Sequence, residues 1–366
     1  MQNGIYFENA ALLPQGNAAY KLVAEETGAE ALFVSDETYK RYVAGFLTEG
    51  GFAVADQNGT TLFTDARYLE AAEKKLVPLG VNVETLSKEV KPELYLKRYK
   101  SVAVPYSEIS YAEFLSLQNC GAKFSDATNA IRECAKVKTE GELNAISRAC
   151  EIAEEGLHKT LGEIKEGMTE REVAAILEHE MRACGADGTS FDTIVAFGAG
   201  AAVPHHETGD TKLKFGDEIL IDFGCKTQGY CSDMTRTFLF GDDKKHEDFK
   251  KAYACVFAAQ LKVLDELKEG MTGGEGDAIA RNYLEAHGLG KLFTHSLGHG
   301  IGLKIHEFPS LRQGGTEVLK EKMVFSDEPG VYLAGSFGIR IEDTVTILNG
   351  RAKTFMKKVS KELTIL

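Results

Sequence analysis

Short apolar runs separated by helical stretches make up the first third of the chain. Residues 31–35, 52–55, 61–64 and 101–104 are apolar and rich in β-branched or aromatic side chains, the last run standing just before Pro105. They read as strands, and residues 66–75 read as a helix between two of them. Strands alternating with helical patterns predict a small α/β domain. Near Ser125–Thr128 the pattern changes. A helical stretch begins near Ala127 and continues, with a break near Thr139, to Ile164. Within it Leu143, Ile146, Ala149, Ala153 and Leu157 recur at helical spacing and predict one buried face. The change of pattern divides the chain into an accessory α/β domain over residues 1–125 and a second domain over residues 126–366.

The second part repeats itself. Glu163-Ile-Lys-Glu-Gly-Met-Thr169 returns as Glu266-Leu-Lys-Glu-Gly-Met-Thr272. Each copy is read as ending a helix at its glycine, Gly167 or Gly270, and starting another with a capping box, Thr169 to Glu172 and Thr272 to Glu275. Each new helix is expected to close near a further glycine, Gly185 or Gly288. Matched caps around matched phrases point to a duplicated domain, two αα-plus-sheet halves with a cleft between them. The fold class is α+β.

Each half carries a hairpin pattern with two acids. Glu218-Ile-Leu-Ile-Asp-Phe-Gly224 leads to Tyr230-Cys-Ser-Asp-Met-Thr-Arg-Thr-Phe238, with a turn expected near Thr227 and Gln228. Asp222 and Asp233 are equidistant from that turn and are expected to face each other across the strands. In the second half Glu328 and Glu342 are equidistant from Gly335. Like charges opposed across strands destabilise a sheet, so a buried pair needs a proton or a cation between its members. Two such pairs in one duplicated domain point to a cation site.

Five of the nine histidines fall in two short stretches, His205-His206 after Pro204, and His295, His299 and His306 in a glycine-rich run. Gly298, Gly300 and Gly302 would let backbone approach a ligand closely. This run lacks the spacing of a nucleotide-binding loop. Carboxylates with one or two imidazoles form a hard, oxygen-rich donor set. It suits a pair of Mn²⁺, Fe²⁺, Co²⁺ or Zn²⁺ ions rather than a thiolate zinc site.

Composition narrows the classes further. A formal net charge of -13 argues against a nucleic-acid partner. A hydrophobic content of 43% with 27% charged residues is that of an ordinary soluble protein, and no apolar run approaches the length of a membrane span. The seven cysteines, an odd number without a C-x-x-C, predict reduced thiols and a cytoplasmic location. Residues 1–14 lack the basic start and apolar run of a signal peptide.

Taken in order, Pro204-His205, Ile221-Asp-Phe-Gly224, Ser232-Asp-Met-Thr-Arg236, Gly298-His-Gly-Ile-Gly302, Glu328-Pro-Gly330 and Arg340-Ile-Glu-Asp343 resemble the pita-bread metallopeptidases. Arg41-Tyr-Val-Ala-Gly-Phe46 and Thr64-Asp-Ala-Arg-Tyr68 resemble the creatinase-like accessory domain of the Xaa-Pro members, the Xaa-Pro aminopeptidases and Xaa-Pro dipeptidases (prolidases). The resemblance implies a pita-bread catalytic domain with two metal ions, Mn²⁺ in first place, held by Asp222, Asp233, His299, Glu328 and Glu342. Asp233 and Glu342 would bridge the ions. His205, His295 and His306 would line the cleft and hold substrate or oxyanion. Arg340 is either beside the reacting groups or a structural ion pair with a ligand carboxylate. Two features depart from the family pattern: the acidic Asp327 before Glu328, and His206 beside His205.

The activity so implied is metal-assisted hydrolysis of the bond between an N-terminal residue and proline. Glu328 would take the proton of the attacking water and pass it to the leaving nitrogen. A homodimer is expected by the same resemblance. Methionine-type aminopeptidases differ around the last acid and generally lack the accessory domain. A non-catalytic binding protein or a creatinase-like hydrolase would be expected to lack the full ligand set.

Overall fold

The computed structural model describes residues 10–241 and 247–366. The signal-peptide reading of residues 1–14 therefore falls largely outside the described residues. Two compact units are formed, one over residues 11–135 and the other beginning at Lys136. The division leaves nearly all of the helix Thr128–Lys136 with the first unit.

In the first unit the strands β1 (Ala31–Val34), β2 (Phe52–Asp56), β3 (Gly59–Thr64), β4 (Val81–Thr85), β5 (Ser101–Val104) and β6 (Lys123–Asp126) form one sheet of order β4-β3-β2-β1-β5-β6. The β1–β2 and β2–β3 pairs are antiparallel and the others parallel. Helices α1 (Gly16–Thr27), α2 (Glu37–Ala44), α3 (Leu69–Leu76), α4 (Pro92–Tyr95), α5 (Tyr111–Leu117) and α6 (Thr128–Lys136) accompany it. On one face Phe33, Phe52 and Phe63 are buried, the last two stacked at 4.3 Å. Helix α3 starts later than the expected residue 66. Asp65 folds back on its own backbone, accepting from the N–H of Arg67, and so competes with the first helical turn.

The second unit opens with α7 (Glu140–Leu161), started by a capping box of Thr139 and Glu142, and Leu143, Ile146, Ala149, Ala153 and Leu157 are all fully buried. It continues through α8 (Glu170–Ala183), α9 (Glu247–Glu266) and α10 (Gly273–Ala286). The strands are β7 (Gly188–Thr189), β8 (Ile194–Phe197), β9 (Glu218–Phe223), β10 (Cys225–Thr227), β11 (Tyr230–Cys231), β12 (Met234–Leu239), β13 (Gly298–Gly300), β14 (Glu307–Leu311), β15 (Val324–Asp327), β16 (Gly330–Leu333), β17 (Phe337–Arg340), β18 (Asp343–Leu348) and β19 (Arg351–Thr354). They form small sheets of order β11-β10-β7, β12-β9-β8 and β16-β17, and a larger one, β14-β13-β15-β18-β19.

The repeated phrases do the same work twice. Gly167 and Gly270 have φ of 86° and 88°, and their N–H groups donate to the carbonyls of Leu213 and Leu319. In return Leu213 and Leu319 donate to Met168 and Met271. Both capping boxes form. The glycines do not end helices, however: α7 and α9 stop at Leu161 and Glu266, and Gly167 and Gly270 turn the chain between helices. Gly185 and Gly288, both with positive φ, follow the ends of α8 and α10 as expected. The equivalence extends to the acids. Asp222 lies nine residues beyond Leu213 and Glu328 nine beyond Leu319. The six-residue strands β12 and β18 are each directly preceded by an acid, Asp233 and Glu342.

Candidate metal centre

The first hairpin turns at Gln228 and Gly229, whose φ angles of 51° and 85° are both positive. This is one position later than expected, and it moves the register. Asp222 pairs with Thr235 rather than Asp233, so the two acids of this half sit on a diagonal. In the second half the expected register holds. Asp327 pairs with Asp343 and Gly330 with Arg340, which leaves Glu328 opposite Glu342 at the break between the two ladders.

A bridge between Thr235 and Glu342 joins the halves where the acids converge. Asp233, His299 and Glu342 present ligand atoms all within 4.8 Å of one another. His299 Nε2 lies 3.5 Å from Asp233 Oδ2 and 3.5 Å from Glu328 Oε1. Its Nδ1 faces the Gly300 carbonyl at 3.1 Å, which turns Nε2 toward the carboxylates. Asp222 is joined to the group through Arg340, whose Nη2 pairs with Asp222 Oδ2 and whose Nε donates to Thr235 Oγ1 (3.1 Å). Thr235 Oγ1 in turn donates to Glu342 Oε2 at 2.6 Å. A side chain at Gly298 would strike the Ser326 carbonyl at 2.0 Å, and one at Gly300 would strike Phe308 at 2.3 Å. The glycines thus let the His299 strand lie against its neighbours.

The electrostatics follow from burial. Asp233 and Glu342 are pushed well above the usual carboxylate range, first by desolvation and then by the other acids of the cluster. Glu328 is raised to about 7, chiefly by desolvation, with Arg340 opposing. Burial lowers His299, and takes His295 down to about 4, so both imidazoles are neutral at pH 7 and available as acceptors or ligands. Asp222 Oδ1 is buried without a hydrogen-bond partner. Four convergent carboxylates, one of them with an orphaned oxygen, beside a neutral imidazole nitrogen form a donor set that fits divalent cations.

The remaining predicted residues surround this cluster. His295 Nδ1 faces the Ser296 carbonyl, and its Nε2 lies 3.0 Å from the Tyr332 hydroxyl. Arg340 Nη1 donates to the same hydroxyl at 2.7 Å. Arg340 is therefore both ion-paired with an acid of the cluster and tied to a histidine beside it. His306 stacks edge-on against His299 with ring centroids 4.2 Å apart, at an exposed margin where His205 is also exposed. His206 is the imidazole turned away: its Nε2 lies 2.9 Å from Glu170 Oε2. Glu170 is fully buried and also accepts from the N–H groups of Phe197 and Gly209, so it pins both ends of the loop that carries His205.

Several functional contacts were not anticipated. Ser326 Oγ accepts from the His299 N–H and donates to Glu328, both at 3.0 Å. Thr344 Oγ1 accepts from the Asp233 N–H and donates to its carbonyl. The available signal was a hydroxyl at a buried place in an otherwise apolar strand. Tyr332, two residues after Gly330, carried no comparable signal, because a buried tyrosine in a strand reads first as core.

The profile of metallopeptidase family M24 matches residues 144–349, and that of the Creatinase/Prolidase N-terminal domain matches residues 21–136. The chain belongs to metallopeptidase family M24. Among its relatives is the Xaa-Pro dipeptidase of Pyrococcus horikoshii, 34% identical over 342 residues that cover 93% of this chain and 95% of the relative. The solved prolidase of Pyrococcus horikoshii superposes with a TM-score of 0.87 at 33% identity, covering 95% of this chain and 100% of that one. The X-Pro aminopeptidase of Thermotoga maritima does so with a TM-score of 0.88 at 32% identity, covering 94% and 99%. This M24 chain thus has the accessory and catalytic parts of those relatives, and membership of the family implies divalent metal ions. Among the described residues no helix is long and apolar enough to cross a membrane.

Proposed function

We propose that this M24 metallopeptidase hydrolyses the bond between an N-terminal residue and proline, with Asp222, Asp233, His299, Glu328 and Glu342 holding a pair of Mn²⁺ ions. The observation that carries the reading is the convergence of four acids and one neutral imidazole in a chain whose relatives are named for Xaa-Pro substrates. Co²⁺, Zn²⁺ and Fe²⁺ are the alternatives the donor set admits. The ions, when bound, supply Lewis acidity and lower the pKa of water.

The chain's own groups do the rest. Glu328 takes the proton of the attacking water and returns it to the proline nitrogen. That nitrogen belongs to a tertiary amide without an N–H, so the site has no donor to recognise there and must accept the ring by shape. Arg340 and Tyr332 hold Asp222 and His295 in place. His205 and His306, at the exposed margin, offer nitrogens to the substrate backbone and the developing oxyanion, while His295, whose two nitrogens are taken by Ser296 and Tyr332, lines the cleft. The domain boundary near residue 125, the homodimer and the cytoplasmic location belong to the same proposal.

The test is to strip the protein with chelator, restore Mn²⁺, and offer Xaa-Pro, Xaa-Pro-Yaa and Met-Ala-Ser peptides. Mn²⁺-dependent release of the residue before proline is expected, and the two proline peptides separate dipeptidase from aminopeptidase. Cleavage of the methionine peptide alone would refute the specificity. No cleavage with any of the four metals would refute the reaction.

A further inference from the structure

Behind the acids of the centre lies a second, largely buried charge group. Asp343, one residue past Glu342, is paired through Oδ1 with Arg236 Nη2 at 2.8 Å and through Oδ2 with Lys361 Nζ at 2.7 Å. Arg236 Nη1 donates to the Glu342 carbonyl at 2.6 Å and to the Thr235 carbonyl at 2.9 Å. The Arg236–Asp343 pair thus grips the backbone of one proposed ligand. Directly across the ladder from Asp343 stands Asp327, adjacent to a second proposed ligand, Glu328. Asp327 is completely buried, and neither of its oxygens has a hydrogen-bond partner. Two carboxyls opposed on neighbouring strands lie within roughly 5 Å at Cβ, and burial pushes Asp327 well above the usual carboxylate range, so that the ionised member is Asp343.

Lys361 is delivered there by a segment that is itself fastened. The fully buried Glu154 of α7 accepts from the backbone N–H groups of Lys357, Lys358 and Val359 at 2.7–2.9 Å. Beyond Lys361 the segment pairs with β12, Leu239 donating to Thr364 and Leu366 donating to Leu239. Between these anchors Lys361 Nζ also donates to Gln260 Oε1 at 3.0 Å, and the Tyr253 hydroxyl donates to the Lys361 carbonyl.

We propose that Lys361 is a positioning residue of the metal centre. Through Asp343 it holds Glu342 in the geometry that takes a cation. This rests on the metal reading above. The positioning and electrostatic effects of Lys361 have opposite signs. Removing a nearby positive charge would by itself strengthen cation binding, whereas releasing Asp343 weakens it.

The experiment titrates Mn²⁺ by calorimetry into the full, chelator-stripped chain and into Lys361→Met, Lys361→Arg, Asp327→Asn and Asp327→Asn/Lys361→Met. Loss of an outer residue that orients a ligand costs about 10–100-fold in metal affinity. Lys361→Met is expected to fall in that range and Lys361→Arg to stay close to the parent. Affinity in Lys361→Met equal to or tighter than that of the parent overturns the proposal. Should Lys361→Met fail to fold, Asp327→Asn/Lys361→Met, in which one buried carboxyl has gone with the ammonium, is compared with Asp327→Asn. Weaker binding in the double variant supports positioning, and equal binding overturns it. A parent that binds no Mn²⁺ refutes the metal centre and this inference together, whereas a binding parent with unchanged variants refutes this inference alone.

Discussion

Chelation should reverse the way this protein's stability depends on pH. In the metal-free chain Glu328 has its pKa raised to about 7 from the 4.5 of an unperturbed glutamate, and its side chain is only 17% exposed. The folded state therefore binds a proton more tightly than the unfolded one. The resulting stabilisation is fully present below pH 4.5 and is lost as pH rises through 7. Between pH 5 and pH 8 this group removes on the order of 2–3 kcal/mol, at about 1.4 kcal/mol per unit of pKa. Asp233 and Glu342 are shifted in the same direction and add to the trend. With Mn²⁺ present the ionised acids are the binding form, so the ion stabilises the fold more at pH 8 than at pH 5. The assay is urea unfolding at both pH values, in chelator and in Mn²⁺, for the parent and for Glu328→Gln, which cannot ionise there. In chelator the parent should lose roughly 2–3 kcal/mol more than the variant on going from pH 5 to pH 8. Equal pH dependence of the two proteins would refute the argument.

Three further outcomes are expected. Glu328→Gln should keep its fold, by circular dichroism, while turnover of an Xaa-Pro peptide falls on the order of 10²–10⁴-fold; near-normal turnover would remove Glu328 from proton transfer. Ser326→Ala deletes the hydroxyl that joins the His299 N–H to Glu328 and should weaken Mn²⁺ binding about 10–100-fold by calorimetry. Glu170→Ala leaves the buried amide of Phe197, the Gly209 amide and His206 without their acceptor, and should cost about 3–5 kcal/mol in urea unfolding.

The fold was legible where local rules are strong. The apolar runs became β1, β2, β3 and β5, and the helical spacing from Leu143 to Leu157 became the buried face of α7. The capping boxes at Thr169 and Thr272 formed because a Thr and a Glu three residues on satisfy each other whatever surrounds them. Reading failed where backbone conformation decided the outcome. A turn at Gln228-Gly229 instead of one residue earlier moved Asp222 opposite Thr235. The acids of the centre could be picked out because opposed buried carboxylates are costly, and their cost marks them. The residues that hold them could not. Thr235 and Thr344 act through contacts between segments far apart in the chain, and nothing in the neighbourhood of a threonine announces a partner a hundred residues away.

The duplication has an outcome that symmetry alone would not produce. Its two copies bring acids to the same centre in different geometry, diagonal and short in the first half, opposed and one methylene longer in the second. Thr344 secures the backbone of Asp233, while Thr235 secures the carboxylate of Glu342. The imidazole of His299 comes from the second copy only. Two ions entering such a centre would meet unequal hosts. Loading should proceed in order, one ion retained through dilution and the other exchanging with the medium, so that the supply of the second ion would regulate an already folded and half-filled protein.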